Sequence, residues 1–352
     1  MLTAPTYGTI EGAYLDLLRL ALKHPEHAID ARGNTAREVI GVSFQLPNPR
    51  QRLPYLAARK ANPVFQFAEA LWYLAGRRDL EMIGYYAPSM RSSSADGIDL
   101  GGSAYVHTLF NPAPGDSVSP FERVLELLRT ENDSKRGYLP VFSADELAVT
   151  DNPDMACLAG LHLLVRNGRL HMVCHMRANN LDCGPLSDVF SFTMIQEYAA
   201  VQLALELGSH THTIGSAHIN ERNVERVKRV PDEAEQRHAP RHFLFPAMAA
   251  ETGPDTITRL LEHEQLLRTN TVKYSADEIA RMDVPAYWRQ ALLLFEAYRQ
   301  IQHNTNGRPA RAPRGHDRGA VSVRPPPHDR SPAILPPPGE KTRSDTEILL
   351  EY

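Results

Sequence analysis

Cys157 and Arg177 are two residues whose types and spacing could form a nucleophilic site. Residues 157–165 and 170–176 have strand-like patterns, and the Asn-Gly pair between them is a strong hairpin signal. A hairpin centred on that pair brings positions 157 and 177 to the same end of the two strands. A guanidinium near a thiol favours the thiolate, which is the nucleophilic form. The alternative is an inert core cysteine, the commoner role of a lone cysteine in an apolar strand.

Three carboxylates are also placed where they could do chemistry. Glu69 lies inside the apolar run FAEALWYL, where a carboxylate must be paired, protonated or functional. The alternative for Glu69 is an exposed helix face or a buried ion pair. Asp182 and Asp188 flank the Gly-Pro pair that opens a later helix, where a carboxylate is ordinarily a helix cap. Capping explains one of these two residues easily and the second less easily.

Histidines and cysteines in the second half of the chain could instead be assembled into a metal site. They show no Cys-x-x-Cys or His-Glu-x-x-His spacing, and alternating histidines on a strand mostly make local hydrogen bonds, so we expect no metal. The GIDLGG stretch lacks the features of a phosphate-binding loop and predicts a turn. The residues of the alternative metal site are His171, His175, His210, His212, His218, Cys174 and Cys183.

Composition limits the class of protein. With 352 residues and 42% apolar residues, the chain can bury a sizeable core as one large domain or two smaller ones. A net charge of −4 argues against a general nucleic-acid or membrane-surface partner. Three cysteines do not suggest a disulfide framework, and neither a signal sequence nor an apolar run of about 20 residues occurs. We therefore expect a cytoplasmic, reduced protein.

Helical and strand patterns account for most of the first 303 residues. Residues 39–46 are β-rich, and HTHTIGSAHIN reads as a strand with a trailing loop. Ser119, Pro120 and Glu122 have the pattern of a helix N-terminus with a capping box. The helices predicted from apolar periodicity and end signals are 11–24, 63–75, 120–129 and 187–207.

The domain organisation is predicted from a change of composition near residue 305. Residues 1–305 are expected to form the catalytic domain. Residues 306–338 are rich in proline and arginine and predict an extended connector. Residues 339–352 form a C-terminal tail that either docks on the fold or frays.

Several motifs occur in the order of one family, and on these the chain resembles the thymidylate synthases over about residues 10–225. The spacing from Cys157 through Arg177 and Asp188 to His218 is similar to that of the family without a detectable insertion. The matching pieces are Arg32 in DARGNT, Glu69 in AEALWYL, Tyr105 in DLGGSAY, the SKR of 134–136, Cys157, VRNGRL, Arg177, LDCGPLSDVFSF and GSAHIN.

This resemblance implies an α/β (α+β) fold, in which a mixed sheet is flanked by helices and one sheet face forms a homodimer. It also implies a phosphate site shared between subunits, with Arg32 and Arg177 from one chain and Lys135 and Arg136 from the partner. Lys135 departs from the arginine usual in the family, and lysine supplies a point charge instead of a planar fork.

The resemblance further implies a role for each motif residue. The Cys157 thiolate would add to C6 of a pyrimidine, so that C5 attacks the methylene of 5,10-methylenetetrahydrofolate, the implied co-substrate. Arg177 would hold the thiolate, and Glu69 would move protons through water at the base and folate. The remaining implied contacts are Tyr105 and His218 at the base and ribose, and Glu69, Asn180 and Gly184 at the folate.

Asp188 stands where the family carries an asparagine that reads uracil, and this difference predicts a cytosine nucleotide. Cytosine presents a donor at N4 and an acceptor at N3, and a protonated carboxyl offers an acceptor and a donor to match. Asn180 replaces the usual aspartate, and the MRSSSADG stretch lacks the family's tryptophans, which favours water capture over hydride transfer. The chain thus resembles the cytidylate hydroxymethylase branch of the family.

Smaller residues near the sugar favour a ribonucleotide. Ala178 replaces a serine that helps hold the phosphate, and Asn220 replaces a tyrosine that contacts the ribose hydroxyl. We therefore predict CMP over dCMP, which would indicate nucleoside antibiotic biosynthesis of the mildiomycin type instead of DNA modification. The alternatives are a dCMP 5-hydroxymethylase, a divergent thymidylate synthase that methylates dUMP, and a catalytically inactive nucleotide-binding protein.

Overall fold

The computed structural model describes residues 3–31, 33–237 and 245–303. By their contacts, the residues of the chain divide into two units, Met1–Glu296 and Ala297–Tyr352. The predicted phosphate ligand Arg32 lies outside the described residues, and so do the predicted connector 306–338 and tail 339–352. These three expectations stay predictions.

One six-stranded sheet organises the first unit. Its strand order is β1-β2-β6-β5-β4-β3, and β5 and β6 are parallel while all other neighbours are antiparallel. The strands are β1 (His27–Ala31), β2 (Asn34–Leu46), β3 (Tyr138–Pro140), β4 (Leu158–Arg166), β5 (Arg169–Asn180) and β6 (Glu206–Asn220). This mixed sheet with flanking helices confirms the expected α/β class.

Helices occupy most of the remaining described chain. None of the helices within the described ranges is long and apolar enough to cross a membrane. The helices are α1 (Ile10–Lys23), α2 (Pro63–Leu74), α3 (Leu80–Tyr86), α4 (His107–Phe110), α5 (Pro120–Thr130), α6 (Asp145–Ala148), α7 (Gly184–Gln202), α8 (Val224–Gln236), α9 (Pro254–Arg268), α10 (Ala276–Arg281) and α11 (Ala286–His303).

The hairpin between β4 and β5 is confirmed. Asn167 and Gly168 both have positive φ angles, of 50° and 70°, as a two-residue hairpin turn that matches the sheet twist requires. Leu158 is paired with Met176 at the far end of the hairpin. The predicted meeting of positions 157 and 177 therefore occurs.

The end of β5 differs from the prediction, in which the strand covers residues 170–176 and residues 177–180 lie outside it. They continue it, and Ala178 and Asn180 are in register with Ser216 and His218 of the parallel strand β6. That pairing satisfies the backbone of a segment whose side chains do not have strand character. Likewise, residues 206 and 207 belong to β6 and not to the preceding helix, because Leu207 is paired with Leu170.

Local signals set the ends of the helices that carry the site. Asn62 caps α2 by accepting a hydrogen bond from the Phe65 N–H, and a proline occupies the first turn. The capping box of Ser119 and Glu122 at the start of α5 is confirmed. Helix α7 connects the parallel strands β5 and β6, which cannot be joined by a tight turn, and it packs against α2 and the sheet.

Candidate active site

A cavity of about 610 Å³ opens where β5 ends and α7 begins. Helix α2 forms one wall, and the end of α3 with the following residues 87–90 forms another. The cavity brings together residues from five separate parts of the sequence. Those predicted as site residues are Glu69, Tyr105, Cys157, Ala178, Asn180, Gly184 and Asp188.

Arg177 is fixed beside Cys157 by the hairpin and by its own side chain. The Arg177 backbone N–H donates to the Cys157 carbonyl at 2.8 Å. The guanidinium donates from Nε to the Ala156 carbonyl at 2.7 Å and from Nη2 to the Met155 carbonyl at 2.9 Å. These bonds hold the positive charge over the segment that leads into the cysteine.

The Cys157 thiol experiences opposing influences. Burial raises its pKa above the ordinary thiol value, and the Arg177 guanidinium and a hydrogen bond with Tyr105 oppose that rise without cancelling it. Burial also raises the pKa of Tyr105 far above its usual value, so its hydroxyl keeps a proton to donate. The rings of Tyr73 and Phe192, each with its centroid 6.0 Å from that of Tyr105, position the phenol. The cysteine thus has the partners that a thiolate nucleophile needs.

Glu69 is buried in α2, with 7% of its surface exposed, and it faces the cavity. The Ser191 hydroxyl donates to Glu69 Oε2 at 2.9 Å. Burial, reinforced by the nearby Asp188 carboxyl, raises the pKa of Glu69 to about 8. No cation among the described residues forms an ion pair with Glu69, so these residues give no support to the buried-ion-pair alternative. A carboxyl with this pKa can both accept and release a proton near neutrality.

Asp188 also faces the cavity, one turn inside α7. Its Oδ2 accepts a hydrogen bond from Asn179 Nδ2 at 2.9 Å. Burial raises its pKa to about 7, against the opposing effect of that hydrogen bond. The helix-cap alternative for Asp188 is wrong, because the N-cap position is Cys183. Its neighbour Asp182 instead forms an ion pair with Arg226.

Gly184 gives α7 its close approach to the end of β5. A Cβ built on Gly184 would lie 1.7 Å from Oδ1 of Asn179 and 3.3 Å from Oδ2 of Asp188. The first distance is impossible for any side chain, so a residue other than glycine would displace the Asn179 amide. The glycine therefore keeps the Asn179 and Asp188 side chains in contact.

The raised pKa of Glu69 gives a testable dependence of stability on pH. Because the folded-state value of about 8 lies above the ordinary 4.5, stability is fully present at acid pH and is lost as pH rises through that interval. We expect the free energy of unfolding to fall by on the order of 1 kcal/mol per pH unit. It should fall less steeply in Glu69→Gln, because the amide does not titrate. Urea unfolding between pH 5 and pH 9 measures both slopes, and equal slopes would contradict the buried, protonated Glu69.

Besides Arg177, which lies beside Cys157, four predicted ligands among the described residues do not line the cavity. Lys135 and Arg136 are exposed in the turn before β3, and Arg136 forms an ion pair with Glu131. His218 and Asn220 lie at the end of β6, where the His218 carbonyl accepts from the Leu181 N–H at 2.8 Å. The cavity therefore holds the predicted base-side groups, whereas these four residues lie elsewhere.

Sequence reasoning missed several residues at the site. Asn179 donates a hydrogen bond to the Asp188 carboxyl, and Ser191 donates one to that of Glu69. Gln66 donates from Nε2 to the Leu186 carbonyl at 3.1 Å in the cavity wall. Arg59 and Lys60 add positive charge to the same cavity. The sequence signals for these residues were a polar side chain one turn before Glu69, which is Gln66, and the basic pair Arg59 and Lys60 ahead of α2. The role of Asn179 had no signal, because it depends on a contact with another element.

The histidines of the alternative metal site are dispersed. His210 and His212 are fully buried, and the His212 ring stacks on that of Phe44 at 5.3 Å. His171 instead bonds the Ser209 hydroxyl from the partly exposed side of the sheet. Across the described residues, no group of three or more His, Cys, Asp or Glu side chains could hold a metal ion.

Comparison with known proteins identifies relatives of the chain. Residues 12–252, more than half of the chain, match the sequence profile of the family described as Thymidylate synthase. A protein of Bacillus phage SP01 named deoxyuridylate hydroxymethyltransferase is 29% identical over 217 residues, which cover 58% of this chain and 56% of the relative. A protein of the same name from Pseudomonas phage M6 is 26% identical over 249 residues, covering 70% and 63%. The chain thus spans about three fifths of the length of these relatives.

Proposed function

The chain belongs to the thymidylate synthase family, and from that premise we propose that it transfers a one-carbon unit from 5,10-methylenetetrahydrofolate to C5 of a cytosine nucleotide. Water completes the reaction, and the product is a 5-hydroxymethyl nucleotide, with CMP as the preferred substrate. The observation that carries the proposal is the position of Asp188, which faces the same cavity as Cys157 and Glu69.

The proposed reaction begins with addition of the Cys157 thiolate to C6 of the ring, which makes C5 nucleophilic. C5 then bonds to the folate methylene carbon as one of its two C–N bonds breaks. Loss of the C5 proton and cleavage of the second C–N bond release tetrahydrofolate and leave an exocyclic methylene. Water adds to that carbon, and the thiolate leaves C6. Nucleotide, methylenetetrahydrofolate and water thus give hydroxymethyl nucleotide and tetrahydrofolate.

The residues of the cavity support these steps. Arg177 and Tyr105 oppose the rise that burial causes in the pKa of the Cys157 thiol, and this opposition favours the attacking thiolate. Glu69, with a pKa of about 8, is suited to exchange protons at C5 and at the folate nitrogens. Arg59 and Lys60 offer positive charge for carboxylates of the folate. No metal is part of this proposal.

Cytosine is proposed because Asp188 can be neutral. With a pKa of about 7, its carboxyl is partly protonated at neutral pH. In that form it presents one acceptor and one donor, matching the N4 amine and N3 of cytosine. A site built for one hydrogen-bond pattern leaves buried groups unpaired with the other base, and this can discriminate by about 10⁴.

Water capture is proposed because the cavity wall formed by residues 87–90 contains no tryptophan. Residues 87–90 in this wall are Ala, Pro, Ser and Met, and Asn180 adds a polar side chain. The two tryptophans, Trp72 and Trp288, are fully buried and are not part of the wall. The small and polar side chains of Ala87, Ser89 and Asn180 leave water a path to the exocyclic methylene.

A ribonucleotide and a homodimer complete the proposal. Ala178 lines the cavity without the hydroxyl that the family places there, which leaves room beside the sugar. The phosphate would be held by Arg32 and Arg177, together with Lys135 and Arg136 of a second copy across a sheet face. Lys135 and Arg136 are exposed on the single chain, so their side chains are accessible to the phosphate site of a second copy. A CMP substrate would fit nucleoside antibiotic biosynthesis of the mildiomycin type.

The names of the relatives favour a second candidate, hydroxymethylation of dUMP. Both phage proteins are named deoxyuridylate hydroxymethyltransferase. This candidate shares the same chemistry at C5 and differs in the base and the sugar. It would require Asp188 to present a donor to O4 and an acceptor to N3–H of uracil.

A competition assay tests the two candidates. Equimolar CMP, dCMP, UMP and dUMP are incubated with the protein and methylenetetrahydrofolate, and the products are identified by mass. We expect a hydroxymethyl product formed mainly from CMP. A product formed mainly from dUMP would support the second candidate, and a methyl product would contradict water capture.

A further inference from the structure

Asn179 is a cavity residue whose side chain acts directly on the proposed base-reading group. It is 3% exposed at the end of β5. Its Nδ2 donates to Oδ2 of Asp188 at 2.9 Å, and no other hydrogen bond to that carboxyl is present among the described residues. Asn179 is therefore the protein group that distinguishes the two oxygens of Asp188.

The Asp188 carboxyl sets the orientation of the Asn179 amide. Its Oδ1 lies in the space that a Cβ at Gly184 would occupy, so the amide fills the gap between β5 and the first turn of α7. An ionised Asp188 has only acceptors, so it requires the N–H end of the amide. The neutral form accepts the same bond on its carbonyl oxygen. The donor orientation thus satisfies both protonation states of Asp188.

A neutral carboxyl by itself does not choose between the two bases. With its proton on one oxygen, it offers an acceptor to the N4 amine and a donor to N3 of cytosine. With the proton on the other oxygen, it offers a donor to O4 and an acceptor to N3–H of uracil. Selectivity therefore requires a group that decides which oxygen carries the proton.

Resting on the proposed function, we propose that Asn179 is a specificity-determining positioning residue that makes Asp188 read cytosine. By donating to Oδ2, the amide keeps that oxygen an acceptor and confines the proton to Oδ1. The exocyclic amine of cytosine then meets Oδ2, which has a second lone pair, while N3 accepts from Oδ1. Uracil would bring its O4 acceptor against an oxygen that cannot donate.

The test replaces Asn179 with leucine, which has a similar volume and no donor. We expect the ratio of kcat/KM for CMP to that for UMP to fall about tenfold, since the donor that separates the two proton positions is lost. The hydrogen bond stabilises ionised Asp188, so its loss raises the pKa of that carboxyl. The alkaline limb of the pH profile for CMP binding should therefore move to higher pH in Asn179→Leu.

The matched control is Asn223→Leu, which removes a similar amide. Asn223 Nδ2 donates at 3.2 Å to Asp182, the other carboxylate beside the start of α7. We expect this variant to keep the wild-type base ratio and pH profile. If Asn179→Leu fails to fold, Asn179→Ala and Asn179→Ser form a second pair, in which the serine hydroxyl should restore part of the selectivity.

The outcomes separate this inference from the function on which it rests. A lower ratio of kcat/KM for CMP to that for UMP, together with an alkaline limb at higher pH, supports Asn179 as the residue that selects the base. Equal losses for both nucleotides, with an unchanged limb, would mean that Asn179 only fills space and would overturn the inference. Preference of the unaltered protein for uracil nucleotides would overturn the cytosine proposal itself, whatever the variant does.

Discussion

Cys157→Ser is expected to lower turnover by at least about 10³-fold, because removal of a nucleophile eliminates the covalent route. A serine hydroxyl is far less acidic than a thiol, and the Arg177 guanidinium cannot ionise it at neutral pH. The substitution changes one atom in a half-buried position. Nucleotide binding, measured by calorimetry, should therefore stay within a fewfold of the wild-type value.

Cys174→Ala is the control for this prediction. Cys174 is a fully buried cysteine of β5 and does not line the cavity. We expect its replacement to reduce thermal stability while turnover persists. If the unaltered protein binds nucleotide without folate-dependent turnover, the inactive binding protein becomes the correct alternative. Substantial turnover by Cys157→Ser would instead exclude Cys157 as the nucleophile.

Asp188→Asn is expected to reduce the preference for cytosine by up to about 10⁴ and to make uracil the better base. An asparagine amide offers a donor to O4 and an acceptor to N3–H. The new residue has no ionised form that demands a donor, so the Asn179 amide can turn its carbonyl toward it. The measurement is kcat/KM for CMP and UMP with products identified by mass.

Asp182→Asn is the matched control for the base switch. Asp182 is a buried carboxylate at the same helix start, but it bonds Arg226 and Asn223 and does not line the cavity. Its substitution should cost stability and leave the base preference intact. An Asp188→Asn variant that still prefers CMP would show that the base is read by another group.

The proximity of Cys157 and Arg177 could be predicted from the sequence because it is local. A two-residue turn with positive φ at positions 167 and 168 fixes the register of the β4–β5 hairpin. Register then places residues 157 and 177 at one end, where a bulge between Leu158 and Gly160 shifts the pairing by one residue. Similarly, α2 and α5 begin where their caps predict, because caps act within a single turn.

The limits of β5, α7 and β6 could not be predicted in the same way. Their parallel pairing joins segments more than 30 residues apart and gives strand structure to the polar residues 177–180. Strand β1 was also missed, since its residues are mostly exposed and, among the described strands, it pairs with β2 alone. In each case the decisive hydrogen bonds come from a neighbour that local composition does not reveal.

The sequence by itself determined which reactive groups this protein has: a cysteine beside an arginine, a glutamate within an apolar helix and an aspartate after a Gly-Pro pair. Only the tertiary structure decided their chemical states. Burial raises the pKa of Asp188 to about 7, and burial together with repulsion from Asp188 raises that of Glu69 to about 8. Asn179 then contacts Asp188 across the gap left by Gly184. The physical reason is that residue types are local, whereas desolvation and hydrogen-bond partners depend on how distant elements pack.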